Sequence, residues 1–306
     1  MVDIPMCVYN HEHIISQAII GVLSQKTTFK IRLIIGEDCS TDNTRAIIEE
    51  WVIKNPEIIY PIYHKTNLGA KQNSITLLNR CTAKYIALCD GDDYWSDPFK
   101  LQKQIDFLEM HKEYVAHCHN ALILNNDAFI GNYNSYTQGQ ELSIIDILTS
   151  LSIPTSSVVF KNVLSPQMPK YLLDFMWDLT IYYTVAQHGK FYVSPEIMSV
   201  YRCHGGGMWT GQDEFTKINE AIKVNERLIE FLPLRKQEKQ AVRTSIVGLR
   251  HNRIKNHANR YQFGWEYFSD IASVIYAKIV GYNVALKYLA YCVIPNSIVG
   301  RVRHSK

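Results

Sequence analysis

Four short apolar runs alternate with four segments of helical period in the first third of the chain. That alternation limits the fold more than any other feature. The runs cover residues 4–9, 31–36, 58–63 and 85–89. Each is five or six residues long and bounded by turn formers, the pattern of a strand buried on both faces. The first begins abruptly for a core strand. After it, Ile14, Ile15, Ala18, Ile19, Val22 and Leu23 recur on one helical face. Further helices are expected up to about Lys54, over residues 70–80 and over residues 98–111, the last with Asp97 as N-cap and Pro98 in its first turn. Strands alternating with helices of this length mean βαβ units and a mostly parallel sheet, so the expected class is α/β.

Two of these strands run into acidic loops. The fourth meets Asp90-Gly91-Asp92-Asp93, three carboxylates within four positions. The second meets Glu37-Asp38-Cys39-Ser40-Thr41-Asp42-Asn43-Thr44, whose Ser40 to Asp42 portion can cap the helix that follows. Loops that follow the strands of a parallel sheet share one rim, so Asp38 and Asp90 are expected on the same edge despite their separation in the chain. Like charges resist joint desolvation, and a turn of hard oxygen ligands suits Mg²⁺ or Mn²⁺. A merely solvated turn is the alternative. An EF-hand loop is excluded, because Trp95 and Leu101 occupy the positions that need Gly and Glu.

Beyond residue 112 the pattern loosens. Residues 115–124 are strand-like, and residues 125–141, rich in Asn, Gly and Tyr, read as a long loop of the kind that is functional in compact domains. Strands are expected over residues 156–160, 191–193 and 198–203. A mostly apolar helix is expected over residues 172–188, containing Asp178. From Asp213 onward the composition turns helical, with further helices over about 236–256 and 265–291. Residues 271–300 are apolar and aromatic, but Lys278, Lys287 and Pro295 favour a packed or interfacial helix over a membrane span. The basic residues 301–306 suit an anionic membrane face.

Composition narrows the classes of function. The chain of 306 residues is 47% hydrophobic and 20% charged, and its net charge of +3 is too small to argue for nucleic-acid binding. Seven cysteines without a CxxC pair indicate neither a zinc site nor a disulfide framework. No secretory leader is expected, and a reducing, cytoplasmic setting follows.

In order along the chain, Tyr9-Asn10, the segment from Asp38 to Thr44, Asn67-Leu68-Gly69, Asp90-Gly91-Asp92-Asp93 and the Asp178 helix resemble the motifs of family 2 glycosyltransferases. The run Gly91-Asp92-Asp93-Tyr94-Trp95-Ser96-Asp97-Pro98-Phe99-Lys100-Leu101-Gln102-Lys103-Gln104 is similar to the bacterial branch that builds surface polysaccharides. The resemblance covers about residues 3–210. It implies the GT-A fold: a mixed, mostly parallel central sheet flanked by helices, here followed by a helical C-terminal extension. The implied division is a catalytic domain over residues 1–212 (nucleotide-binding part to about 112, acceptor part beyond) and an extension over residues 213–306.

The same resemblance implies roles. Asp38 would accept the imide N–H of a nucleotide base, with Tyr9 against the base and Asn10 close by. Asn67, Gly69, Lys71 and Asn73 would line the nucleotide pocket. Asp92 would be the more direct ligand of Mg²⁺ or Mn²⁺. Asp90 would sit near both ribose and metal, with Gly91 shaping the turn and Asp93 in support. Arg202 and His204, in a segment closing over the donor, would meet the diphosphate. Asp178 would be the general base of an inverting transfer. Here the chain departs from its branch, which usually has Asp-Trp-Pro where this sequence has Asp178-Leu179-Thr180. The structural alternatives are a turn carboxylate for Asp38, a solvated Lys71 and an N-cap for Asp178.

The expected activity is transfer of a sugar from a nucleotide-diphosphate donor, a UDP-sugar, to a hydroxyl of a surface glycan or lipid-linked acceptor. Peripheral contact with the inner membrane face through the C-terminal helices is part of that expectation. A binding module of the same fold that holds the donor without turnover is the alternative. A phosphatase using an Asp-x-Asp pair is disfavoured, because its nucleophile belongs on the first strand.

Overall fold

The computed structural model describes residues 1–149, 153–204, 212–257 and 265–279. Contacts divide the chain into two compact units, Met1–Gly205 and Gly206–Lys306. Among the described residues the first unit is built on ten strands in one sheet. Its first half holds β1 (Val2–Val8), β2 (Ile31–Glu37), β3 (Ile59–Tyr63) and β4 (Tyr85–Ala87), all parallel, in the order β3-β2-β1-β4. The other half adds β5 (Tyr94–Trp95), β6 (Tyr114–Asn125), β7 (Ala128–Asn132), β8 (Gln140–Leu142), β9 (Val159–Lys161) and β10 (Lys190–Cys203). There β9 runs antiparallel between β4 and β6, and β10 runs parallel to β6. The architecture is therefore the expected mixed α/β sheet.

Helices α1 (Ile15–Leu23), α2 (Thr44–Lys54) and α3 (Gly69–Arg80) connect the strands of the first half, and α4 (Lys100–Met110) joins β5 to β6. Ile4, Met6 and Val8 of β1 join Ile15, Ile19 and Val22 of α1 in the core, all fully or nearly fully buried. Each such aliphatic side chain contributes about 1.5–3 kcal/mol of burial. Gly21 lets α1 come hard against β5, because a Cβ there would meet the backbone N and O of Trp95 at 2.9 Å.

Several local expectations change. Strand β1 starts at Val2, because the buried Asp3 is satisfied in place: Arg32 donates to both its oxygens at 2.9 and 2.8 Å, and the amides of Thr82 and Ala83 add two more bonds. The supposed loop of residues 125–141 is largely a hairpin of β6 and β7, turned by Asn126 and Asp127 at φ +45° and +64°, followed by β8. Residues 191–203 form one continuous irregular strand rather than two. Residues 155–157 are a 3-10 turn leading into β9. Asp97 precedes α4 as a turn, its carboxylate accepting from the Phe99 amide, and Phe99 stands at the N-cap position.

The expected helix over residues 172–188 is broken into α6 (Lys170–Asp174) and α7 (Asp178–Ala186), after the short α5 (Ile144–Thr149). In the second unit α8 (Glu214–Phe231) is capped by Asp213, which accepts from the amides of Phe215 and Thr216. Helices α9 (Lys236–His257) and α10 (Trp265–Ile279) follow, tied by the buried pair Arg253–Asp270. The remainder of the expected apolar segment, residues 280–300, and the basic residues 301–306 lie outside the described residues. No helix among the described residues is long and apolar enough to cross a membrane.

Candidate active site

The parallel register places Val8 opposite Glu37, so β1 and β2 end level and their loops meet. Three loops are then sewn together at the end of β1. The Asp38 amide donates to the Val8 carbonyl and the Gly91 amide to the Cys7 carbonyl, both at 3.0 Å. Asn10, at φ +56°, takes the amide of Thr41 on its Oδ1 at 2.9 Å and donates its own amide to the Ser40 hydroxyl. The rim expected from sequence is thus a continuous hydrogen-bonded edge.

At the end of β2 Asp38 is buried, and its two oxygens accept from the amides of Leu68 and Gly69 at 2.8 and 2.9 Å. Gly69 has φ +79° at the start of α3, and Asn67 Oδ1 accepts from the same amide. Tyr9 is exposed just past the end of β1. Lys71 reaches across to the Asp174 carbonyl at 2.7 Å, tying α3 to the segment that precedes Asp178. Asn73 sits apart: it is buried behind β2, donating to the Gly36 carbonyl at 2.8 Å and meeting His64 at 3.1 Å. Its amide is fully engaged in holding α3 to β2.

The turn Asp90-Gly91-Asp92-Asp93 lies at the end of β4. Gly91 is required by space, since a Cβ would fall 2.8 Å from Val8 Cγ2 and 2.9 Å from His11 Nδ1. Residues at the end of β10 brace it. The Arg202 amide donates to Asp93 Oδ1 at 2.9 Å, while its guanidinium donates to the Asp92 carbonyl at 3.0 Å and to Gln17 at 2.6 Å. His204 Nε2 meets Asp92 Oδ2 at 3.1 Å. Arg202 and His204, expected at the diphosphate, are here seen holding the acidic turn. Of the closing segment, residues 205–209 lie outside the described residues.

The carboxylates differ in charge. Burial, then the charges of Asp92, Asp178 and Asp93, push Asp90 well above the ordinary range. Burial and Asp92 push Asp93 up to about 8, against the Arg202 amide and Ser156. Burial also pushes Asp92 upward, but the His204 bond and the charges of His11 and His204 outweigh it, and the net shift is downward. His11 was not singled out by sequence reasoning. Its ring stands edge-on to His204 at 6.1 Å, and its buried Nδ1 meets no hydrogen-bond partner. The only signal was its place directly after the strand-end Tyr9-Asn10.

Asp178 is the first residue of α7, where the helix dipole favours its anion. It is not the cap. Trp177 holds that position, and Thr180 Oγ1 accepts the Trp177 amide at 2.9 Å. The departure from Asp-Trp-Pro therefore has a local purpose: Thr180 closes the helix end. The carboxylate is open to solvent on one side, which tempers its electrostatics, yet burial and Asp92 still raise it, opposed by the Thr155 hydroxyl. One group senses the whole arrangement. The Cys7 thiol, at the end of β1, feels the charges of Asp90, Asp178 and Asp38 together. The three carboxylates thus lie within electrostatic reach of one buried thiol.

Among the described residues no cluster of three His, Cys, Asp or Glu side chains is placed to hold a metal ion by itself. Asp90 and Asp92 offer hard oxygens in a half-buried turn, and among the described residues no Lys or Arg side chain pairs with either carboxylate. That fits a divalent cation which completes its shell from phosphate and water.

A mixed sheet of this order, with an acidic turn at its rim, defines a GT-A nucleotide-sugar transferase fold. Residues 3–164 match the model of Glycosyl transferase family 2, and the chain belongs to that family. An uncharacterized protein of Mycobacterium tuberculosis (strain ATCC 25618 / H37Rv) is 35% identical over 203 residues, 66% of this chain and 58% of that one. The match therefore spans less than two thirds of that relative. The UDP-Glc:alpha-D-GlcNAc-diphosphoundecaprenol beta-1,3-glucosyltransferase WfgD of Escherichia coli is 31% identical over 165 residues, 54% of this chain and 61% of WfgD. Among solved structures, S. aureus TarS 1-349 in complex with UDP-GlcNAc superposes with a TM-score of 0.61 at 14% identity, covering 89% of this chain and 79% of that one. That likeness concerns the fold.

Proposed function

We propose that the chain is a metal-dependent inverting glycosyltransferase that moves a sugar from a UDP-sugar to a hydroxyl of a surface glycan or lipid-linked acceptor. The observation that carries this reading is the gathering of Asp90, Asp92 and Asp178 within electrostatic reach of one another, at the rim where Asp38 also lies. The names of WfgD and TarS, with their UDP-sugars, support the choice of nucleotide.

Asp38 uses two amide donors, and a carboxylate has lone pairs to spare for the imide N–H of uracil. Tyr9 offers an exposed ring for the base, with Asn10, Asn67 and Gly69 around it. Asp92, held ionised by His204, and Asp90 would hold Mg²⁺ or Mn²⁺, which when bound supplies Lewis-acid neutralisation of the diphosphate. Asp178 faces this charge from α7. Its carboxylate takes the proton of the acceptor hydroxyl. That oxygen forms its bond to the anomeric carbon on the face opposite the diphosphate, and the bond from that carbon to the phosphate oxygen breaks, its electron pair leaving with UDP. An upward-shifted Asp178 is a stronger base than an ordinary carboxylate.

The test is a panel of nucleotide-sugars with Mn²⁺ and a lipid-linked glycan acceptor. UDP should be released from a UDP-sugar, and chelation should stop it. Release of inorganic phosphate from simple monophosphates, or binding of every donor without turnover, would reject the reading. Association of the C-terminal helices with the inner membrane face belongs to the same proposal, and sedimentation with anionic vesicles tests it.

A further inference from the structure

The 3-10 turn Thr155–Ser157 is gripped by the core on two sides and turns one hydroxyl to the Asp178 carboxylate. The Ser156 carbonyl accepts the buried indole N–H of Trp95 at 2.8 Å, and the Ser156 hydroxyl lies 3.2 Å from that of Ser199. The Ser157 carbonyl accepts from Gln104 at 2.8 Å, and the Ser157 hydroxyl folds back onto the Pro154 carbonyl. Ser156 and Ser157 are fully buried, and Thr155 is half-buried. The turn is therefore fixed relative to Trp95, two residues after Asp93. From this anchored position Thr155 Oγ1 donates to Asp178 Oδ2 at 2.6 Å, the length of a strong charge-assisted bond.

We propose that Thr155 is a positioning residue for the general base: its hydroxyl fixes one oxygen of Asp178 and leaves the other to receive the acceptor proton. The proposal rests on the reading of Asp178 as that base. The bond does two things. A free aspartate at a helix start can rotate about both side-chain bonds. Holding Oδ2 to a β-branched residue with a stiff χ1 removes that freedom. A donor to the anion also favours the charged form, the form a base needs. Burial and the neighbouring carboxylates work the other way. Asp178 faces the charges of Asp90 and Asp92. Tyr182, one turn along α7, places its buried hydroxyl beside that of Thr155. Thr155 is thus the donor that offsets the pressure on Asp178 toward its neutral form.

The test titrates the Asp178 carboxyl by carbon NMR in the full chain labelled at aspartate, the signal being assigned by its loss in Asp178→Asn. The wild type is compared with Thr155→Val, Thr155→Ser and Thr155→Ala. Thr155→Val should raise the Asp178 titration midpoint by roughly one to two pH units, and Thr155→Ser should restore it. Thr155→Ala gives the same reading should the valine fail to fold. In steady-state release of UDP from the donor chosen by the panel, kcat should fall by about tenfold or more at neutral pH with KM for the donor little changed. The acidic limb of kcat should move upward with the NMR midpoint. An unchanged titration in Thr155→Val and Thr155→Ala would overturn the proposal, as would a raised titration with unchanged kcat. The two readings fail differently: a wild type that turns over no nucleotide-sugar rejects the transferase assignment and with it the role of Thr155, whereas active enzyme with an indifferent Thr155 rejects the positioning role alone.

Discussion

His204 Nε2 lies 3.1 Å from Asp92 Oδ2, a contact between residues 112 positions apart that joins the end of β10 to the acidic turn. It is the largest influence that holds Asp92 down against burial. His204→Ala should therefore weaken Mn²⁺-dependent UDP binding and lower kcat/KM by about 10- to 100-fold, the usual cost of losing a group that orients a ligand. Calorimetry with UDP and Mn²⁺ reads the first effect. Wild-type affinity in the variant would mean that the contact is incidental.

Asp93 gives a prediction in pH. Its folded value of about 8 stands above the ordinary 3.8 of an unfolded chain, so the folded state holds a proton that the unfolded state has lost. Its contribution to stability is fully present below about pH 4 and is lost as pH rises through about 8. Asp93→Asn, which keeps an oxygen for the Arg202 amide, mimics the protonated form. The metal-free variant should melt higher than wild type at pH 8, and the gain should shrink at pH 5. Equal differences in melting temperature at both pH values would contradict a neutral Asp93.

Gly91 is a steric requirement. Gly91→Ala places a methyl 2.8 Å from Val8 Cγ2 and 3.0 Å from the Cys7 carbonyl. The turn must shift, and a displacement approaching 1 Å costs about 100-fold in rate. UDP release assays should show that loss, with far-UV circular dichroism unchanged.

Beneath the site, Lys100 is fully buried, with its ammonium over the Trp95 ring at 4.1 Å and bonded to Gln104 Oε1 at 2.8 Å. Burial pushes that lysine down to about 7. Gln104 also donates to the carbonyls of His117 and Ser157. Gln104→Ala should destabilise the protein by about 3 kcal/mol, because it strands a buried ammonium and two carbonyls. Urea unfolding monitored by tryptophan fluorescence checks this. A change under about 1 kcal/mol would mean that water replaces the amide.

The first half of the fold was legible because each of its strands is a short apolar run closed by turn formers, and the parallel arrangement put Asp38 and Asp90 on one rim. The second half was harder for physical reasons. Asn126-Asp127 turns a hairpin without the glycine that usually marks one, so β7 was read as loop. The break before Asp178 is made by Thr180 closing a helix start, which periodicity does not reveal. The first strand reads as starting abruptly at residue 4 because Arg32, the partner that lets Asp3 be buried, lies on the next strand. The pocket side of the site was only partly readable. Asn73 falls behind β2, while His11 and Thr155 owe their places to packing between distant segments.

The central claim is that Asp178 takes the acceptor proton across from a donor held by Asp90 and Asp92, and Asp178→Asn measures it most directly. The variant should bind UDP with Mn²⁺ as tightly as wild type by calorimetry, and its release of UDP from the donor in the presence of acceptor should fall by about 100- to 10,000-fold. Turnover within a few fold of wild type would contradict the account.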